Sequence, residues 1–263
     1  NGQGLLGRDG VRHDRRHAVE LELEGEHLAG SKHHRRKRIL RQKHGESRFL
    51  HQPFVQVAQQ QPAAVVWDVV FSDADKQNPG GDAAFDAVAR GSAHSHFSVV
   101  RLPAANDGQS KISPSVLPGL WAKAAASGTP GISATPPATV ALIPPALPGV
   151  AAGRLGYNNG YVDADGVLRR YRHAERLPDG RVIQSIAASV QSVLNTPGYA
   201  WAVAGVPTSI QTGQKDALIA WRAKASAYPR VRFADVFAQA EGGVPQTPVP
   251  AFRNKVVIVG STA

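Results

Sequence analysis

Two runs of this sequence leave little choice of fold. Ala63-Ala64-Val65-Val66-Trp67-Asp68-Val69-Val70-Phe71 and Asn254-Lys255-Val256-Val257-Ile258-Val259-Gly260 are nearly all apolar, and rich in β-branched residues. A strand with one wet face alternates apolar and polar residues. A strand that is apolar on both sides needs cover on both, which is the condition of a parallel sheet with helices on its faces. The chain between the two runs supplies such helices. His51 to Gln61 spaces Phe54, Val55 and Val57 like a helix limited by Pro62. Asp82 stands as the cap of a helix to about Arg90, with Phe85 and Val88 inward. His96–Val100 reads as a second strand, and residues 101–150 as a long Pro-, Ala-, Gly- and Ser-rich excursion. That excursion carries a short helix near Val116–Ala125 and an edge strand at Thr139–Ile143. A helix over Val182–Leu194, a strand at Ala217–Trp221 and a short helix after Arg232–Phe237 follow. The order predicts an α/β fold: a mixed, largely parallel sheet flanked by helices.

The charge is not spread over this pattern. Of the 30 Lys and Arg residues, 12 fall in residues 1–60, with 7 of the 10 His. Residues 1–45 are polar, Gly-containing and weakly periodic, a composition expected to be poorly ordered. Ala18-Val19-Glu20-Leu21-Glu22-Leu23-Glu24 is the exception, since it alternates as an amphipathic strand does. The absence of Cys excludes disulfides, thiolate nucleophiles and Cys-ligated metals. With no Met the chain is expected to be a fragment or a processed form. No stretch reaches the ~18–20 apolar residues of a membrane span, so any anchor is expected outside these residues.

The segment Gly156–Val190 poses the sharpest local question, because Asp163-Ala164-Asp165-Gly166 looks like part of a metal loop. A Ca²⁺ loop of the EF-hand type needs ligands at positions 1, 3, 5 and 12 with Gly at 6. Here Gly166 follows Asp165 directly and no Glu stands at the twelfth position. Asp-Gly is instead a turn signal, since Gly accepts the positive φ a hairpin turn requires. The expectation is a β-hairpin near residues 156–172, with Tyr157–Asp163 and Val167–His173 as its strands, then a turn at Pro178-Asp179-Gly180.

Gly156 through Asp163-Ala164-Asp165-Gly166-Val167 to Arg169-Arg170, followed by a short turn and an apolar helix, resembles the signature of the CHASE2 domain. Other segments agree in order. Pro62–Phe71 is similar to the early strand of that family and Asp82-Ala83-Ala84-Phe85 to its Asp-led helix. Leu218–Arg222, Phe233-Ala234-Asp235-Val236 and Phe252–Ala263 resemble its later elements. The resemblance spans about residues 47–263, so the expected organisation is a 1–45 basic, His-rich segment, in a native or a shifted reading frame, and a 46–263 sensor domain. The family opens with an apolar strand ending in two Asp, which residues 18–45 do not show. It also continues past the terminal Gly-x-Thr-Ala, so a C-terminal truncation is expected.

The resemblance implies an extracytoplasmic signal-sensing domain of a bacterial transmembrane receptor, at the cell membrane and on its periplasmic or extracellular side. An adenylate or diguanylate cyclase or a kinase module would be regulated from it, and this part of the protein would not be an enzyme. The implied partners are a small-molecule or protein signal of unknown identity, the membrane through segments outside this chain, and a second copy in a homodimer. No cofactor is expected. The residues suggest four candidate ligand contacts. Asp73 and Asp75 follow the Val65–Phe71 run, where open α/β sheets gather ligands, although polar turn residues do the same. Arg169 and Arg170 point to opposite faces of a regular strand, and either pairs with Asp163 or Asp165 or captures an anion. His33 with His34, and His94 with His96, lack the companions a metal site needs. Two rival functions stay open. One is a soluble α/β enzyme using Asp68, Asp73 or Asp75 as general acid or base, for which no partner base is visible. The other is nucleic-acid binding through the basic run 32–43, which has no interleaved aromatics to stack bases and is not expected.

Overall fold

The computed structural model of the chain describes residues 18–23, 51–113, 116–121, 139–177, 181–194, 217–219 and 228–261. The basic run 32–43, the end of the helix expected near Val116–Ala125, and the Pro178–Gly180 turn lie outside these residues. Among the described residues a seven-stranded sheet carries the fold. Its strands are β1 (Ala18–Leu23), β2 (Ala64–Trp67), β3 (Ser95–Arg101), β4 (Leu142–Ile143), β5 (Arg154–Tyr157), β10 (Arg230–Arg232) and β11 (Val256–Ser261). The order is β10-β1-β11-β2-β3, and the far edge of β3 is shared by β5 and β4. Every pairing is parallel except β3 with β4. The two apolar runs thus lie side by side at the centre, with Val65 opposite Val257 and Trp67 opposite Val259. The alternating segment near the N-terminus supplies β1, in register with β11 over all six of its residues.

Strand alternation sends Val65, Trp67, Phe97, Val99, Val257 and Val259 to one face. They meet Phe54 and Val57 of α1 (His51–Gln59), Phe85 and Ala89 of α2 (Pro79–Gly91), and Val150 of the one-turn α3 (Pro148–Ala151). Phe233 and Val236 of α5 (Phe233–Ala240) complete that layer. Phe54 stacks on Trp67 with centroids 5.1 Å apart, and Phe85 meets Trp67 edge-on at 5.2 Å. Such pairs add about 0.5–1.5 kcal/mol each beyond burial. The opposite face is thinner. Ala64 and Val66 pack there against Val190 of α4 (Ile186–Leu194).

The helix α2 begins earlier than the sequence suggests. Asn78 caps it through Gly81 N–H, and Pro79 takes the first helical position, where its missing N–H costs nothing. Asp82 sits in the first turn and accepts the backbone N–H of Asp75. The Asp163–Gly166 turn closes as expected. Gly166 N–H donates to Asp163 C=O at 2.8 Å, Asp163 N–H to Val167 C=O at 3.0 Å, and Gly166 has φ +80°. The paired lengths beyond it are shorter than the sequence suggests. Tyr161 bridges Arg170, but Tyr157 ends β5 in the main sheet, and β6 (Arg170–Tyr171) pairs with β9 (Ala217–Leu218). A separate antiparallel pair joins β7 (Ala174–Arg176) to β8 (Val182–Gln184). Gly156 is required where it stands, because a Cβ there would lie 2.4 Å from the Ile186 Cα of α4.

Candidate functional site

The connections decide where a ligand can sit. Steps from β1 through β2 and β3 to β5 pass over the Trp67 face, by way of α1, α2 and α3. After β5 the chain returns toward β10, and α4 lies on the opposite face. Crossovers of one hand change face when their direction along the sheet reverses. The chains leaving β3 and β5 therefore part to opposite sides, and a crevice opens at the carboxyl ends of these adjacent strands. Open α/β sheets bind ligands at this kind of switch point. A cleft of about 280 Å³ lies there, lined by Arg101, Leu102, Pro103, Ala104, Asn159, Tyr161, Arg172 and Glu175.

Arg101, the last residue of β3, forms the floor, and its residue is only 3% exposed. A buried guanidinium survives only when its donors are met. Nη1 donates to Asp107 Oδ1 at 2.6 Å and to Ala141 C=O at 3.0 Å. Nη2 donates to Asp107 Oδ2 at 2.7 Å and to Glu175 Oε1 at 2.8 Å, and Nε donates to the Glu175 carboxylate at 3.2 Å. All five N–H groups are thus used. Burial alone would make Arg101 less basic, but the hydrogen bonds with Asp107 and Glu175 outweigh it and push the pKa up. Asp107 sits on a 3₁₀ turn over Ala104–Gln109 and also accepts Ala141 N–H at 2.7 Å. Glu175 belongs to β7. One side chain therefore ties together the end of β3, the 104–109 turn, the approach to β4 and the β7–β8 pair.

The walls are held as tightly. Asn159 accepts Arg101 N–H and donates to Arg101 C=O, both at 2.8 Å, so its amide continues the ladder where β5 has ended. Arg172 stacks over Tyr161, 5.1 Å from the ring centroid. Tyr157, buried below, donates its hydroxyl to Arg172 C=O at 2.8 Å. Burial first, then the negative charge of Glu175, pushes the Tyr157 pKa up, so this hydroxyl stays a donor. Burial also pushes Tyr171 up, against hydrogen bonds from Ser185 and Ala187 at the start of α4.

None of the four residues singled out from the sequence lines this cleft. Asp73 accepts the Ser72 hydroxyl, and Asp75 accepts the backbone N–H of Gln77 and Asn78, which makes it the pivot of the loop into α2. Arg169 forks onto Asp165 at 2.8 and 2.7 Å and reaches Asp163 at 3.2 Å, binding the turn to itself. Nε of Arg170 lies 3.9 Å from Asp163. Asp68 stands at the end of β2 and accepts the Asn158 amide at 2.9 Å. The residues that do line the cleft carry only one local signal, an Arg closing an apolar strand; Glu175 is 74 residues away in the sequence. Among the described residues, no three His, Asp or Glu side chains gather at metal-ligand spacing, and no helix is long and apolar enough to cross a membrane.

The family model of the CHASE2 domain, a family of extracytoplasmic sensor domains, matches residues 46–263. No curated protein and no solved structure matches the chain.

Proposed function

The chain belongs to the CHASE2 family, and from that premise we propose that it is the signal-sensing input domain of a bacterial transmembrane receptor. The domain faces the periplasm or the exterior, the membrane is reached through segments outside residues 1–263, and a cyclase or kinase module elsewhere in the protein is the regulated output. Catalysis belongs to that module. The observation that supports a sensing role most directly is the Arg101 network under the switch-point cleft. A signal seated in the cleft touches β3, the 104–109 turn and β7 at once, elements far apart in the chain. Binding that favours one arrangement of them shifts the population of the whole domain.

The test is topology together with response. Alkaline phosphatase fused after residue 261 of the full-length protein should be active, because that enzyme folds only after export. Replacing residues 46–263 in the full-length protein with an unrelated folded domain should uncouple the output from the external medium. An inactive fusion, or an output that responds as before, would overturn the proposal.

A further inference from the structure

We infer that a second copy of this chain docks on the outer face of the β6–β9 pair and the Asp163–Gly166 turn, in a two-fold contact of hairpin on hairpin. The two faces of this small sheet differ. Tyr171 turns inward, with its hydroxyl on Ser185 and on the Ala187 N–H at the start of α4. Its neighbour Arg170 therefore points outward. Register puts Tyr161 on one side of Arg170 and Leu218 on the other, and residues directly opposite share a face. A row of Tyr, Arg and Leu thus crosses three chain segments on the outside of the domain. Leu218 is 76% exposed, and Val162, at 62%, and Val167 flank the turn beyond it. Aliphatic side chains this bare, gathered on one hairpin, mark an interaction surface. Tyr and Arg are enriched among the residues that carry the binding energy between proteins.

The charges decide the occupant. Asp163 and Asp165 at the turn are set against Arg169 and Arg170 at the start of β6, so this stretch is neutral as a whole. Neutrality gives an anionic lipid surface or a polyanion no electrostatic hold. The charges are nevertheless separated along the hairpin. At the tip both carboxylates draw on the single guanidinium of Arg169, at 2.7 to 3.2 Å, which leaves an excess of negative charge there. Farther back, Nε of Arg170 stands 3.9 Å from Asp163, beyond hydrogen-bond reach, and the Arg170 side chain is 58% exposed. About three strand residues, ~10 Å, separate the two centres. Two such hairpins laid antiparallel across a two-fold axis put the acidic tip of each against Arg170 of the other. The same alignment brings Leu218, beside Arg170, against Val162 and Val167, beside the tip. A hairpin-sized contact falls below the ~800 Å² per partner of a standard interface, so the free chain should dimerise weakly. Copies tethered in one membrane meet at millimolar effective concentration, where a weak contact is enough; this step alone rests on the receptor reading. Tyr161 also lines the cleft, so a signal bound there touches the contact.

Sedimentation equilibrium of the 263-residue chain tests this and should show a monomer–dimer equilibrium. Leu218→Asp should weaken it at least tenfold, while Val244→Asp, at an exposed site in the loop after α5, should leave it unchanged. Arg170→Glu and Asp165→Arg should each dimerise less than the parent. Mixed, they should pair with one another, because each reversed charge then faces its complement in both halves of the contact. Asp165 also clamps its own turn, so a second reading avoids it. The chain has no Cys, and a short bismaleimide should join Val162→Cys to Leu218→Cys at least tenfold faster than it joins either to Val244→Cys. A chain monomeric at millimolar concentration, a dimer indifferent to Leu218→Asp, or equal cross-linking to Val244→Cys would overturn the inference. So would a monomer that pellets with phosphatidylglycerol vesicles through Leu218, which would give the face to lipid. Its failure is separable from that of the sensor reading. An active phosphatase fusion with a monomeric domain removes the contact alone, and a dimer of a domain that is not exported removes the receptor alone.

Discussion

Nη2 of Arg101 and Oε1 of Glu175 lie 2.8 Å apart, and this pair fastens the β7–β8 hairpin to the end of β3 across 74 residues of chain. Asp107 holds the other edge of the same guanidinium, with both of its oxygens. The cleft floor is therefore one ion network and not three independent contacts.

Breaking that network from either side should be costly. Glu175→Ala leaves a buried guanidinium with part of its donors unmet, and a loss of about 3–5 kcal/mol is expected. Arg101→Lys should fail to rescue, because an ammonium cannot span Asp107, Glu175 and Ala141 in one plane. Urea unfolding of the three proteins reads this directly. A Glu175→Ala loss below ~1 kcal/mol would mean that water satisfies the guanidinium and that the network does not tie the hairpin down.

Gly156 and Gly80 should respond oppositely to the same substitution. At Gly156 a Cβ meets the Ile186 backbone at 2.4 Å, so Gly156→Ala has to push α4 from β5, at about 1–3 kcal/mol. At Gly80 a Cβ meets nothing within 4 Å, and Gly80→Ala at the start of α2 should stabilise by up to ~1 kcal/mol through the unfolded chain. Thermal melts of both variants separate the two cases. Equal effects would contradict the close approach.

Asp235 gives the protein a defined acid limb. Its carboxylate accepts both forks of Arg232 at 3.0 and 2.9 Å, Gln246 N–H at 2.7 Å and the Thr247 hydroxyl at 2.5 Å. Burial would raise its pKa, but Arg232, Thr247 and Gln246 outweigh burial and hold it down at about 2. A carboxylate depressed on folding stabilises above its unfolded pKa, near 3.8, and loses that contribution as the pH falls through about 2. Parent and Asp235→Asn melts compared from pH 6 to pH 2 should differ most above pH 4 and converge below it. A difference that stays constant with pH would show that the charge is not what the loop at 246–247 uses.

What the sequence revealed was what neighbouring residues decide among themselves. The two central strands were legible because Val65–Trp67 and Val256–Val259 are apolar on both faces, and α1 because Phe54 and Val57 share one side. The Asp163–Gly166 turn was legible because Gly166 must take a positive φ. β10 was not, since Arg-Val-Arg has one apolar residue and is a strand only because β1 lies beside it. Asp82 carried the cap chemistry as well as Asn78 does, and Pro79 decided between them through its own backbone. The cleft was the least legible part. Arg101, Asp107, Asn159 and Glu175 are ordinary polar residues in sequence, and only the switch in crossover direction between β3 and β5 brings them to one place.

The face of β3 turned away from Trp67 carries a buried imidazole. His96 is fully buried, and its Nδ1 lies 2.9 Å from Ser189 Oγ, so it joins β3 to α4, while its Nε2 has no hydrogen-bond partner. Burial, then the charges of Arg154 and His94, pushes its pKa down to about 3 from an ordinary 6.5. Between those values the unfolded chain takes up a proton that the folded domain refuses. Stability must then fall as the pH drops from about 6.5 toward about 3, by up to ~1.4 kcal/mol for each pH unit. His96→Gln keeps a polar partner for Ser189 and removes the titration. Urea unfolding of parent and variant at pH 7, 6, 5 and 4.5 isolates the effect, because every other group titrates in both. The parent should lose ground to the variant steadily below pH 6.5. Parallel curves would mean that the folded domain accepts the proton, and with it that β3 and α4 can open far enough to hydrate His96.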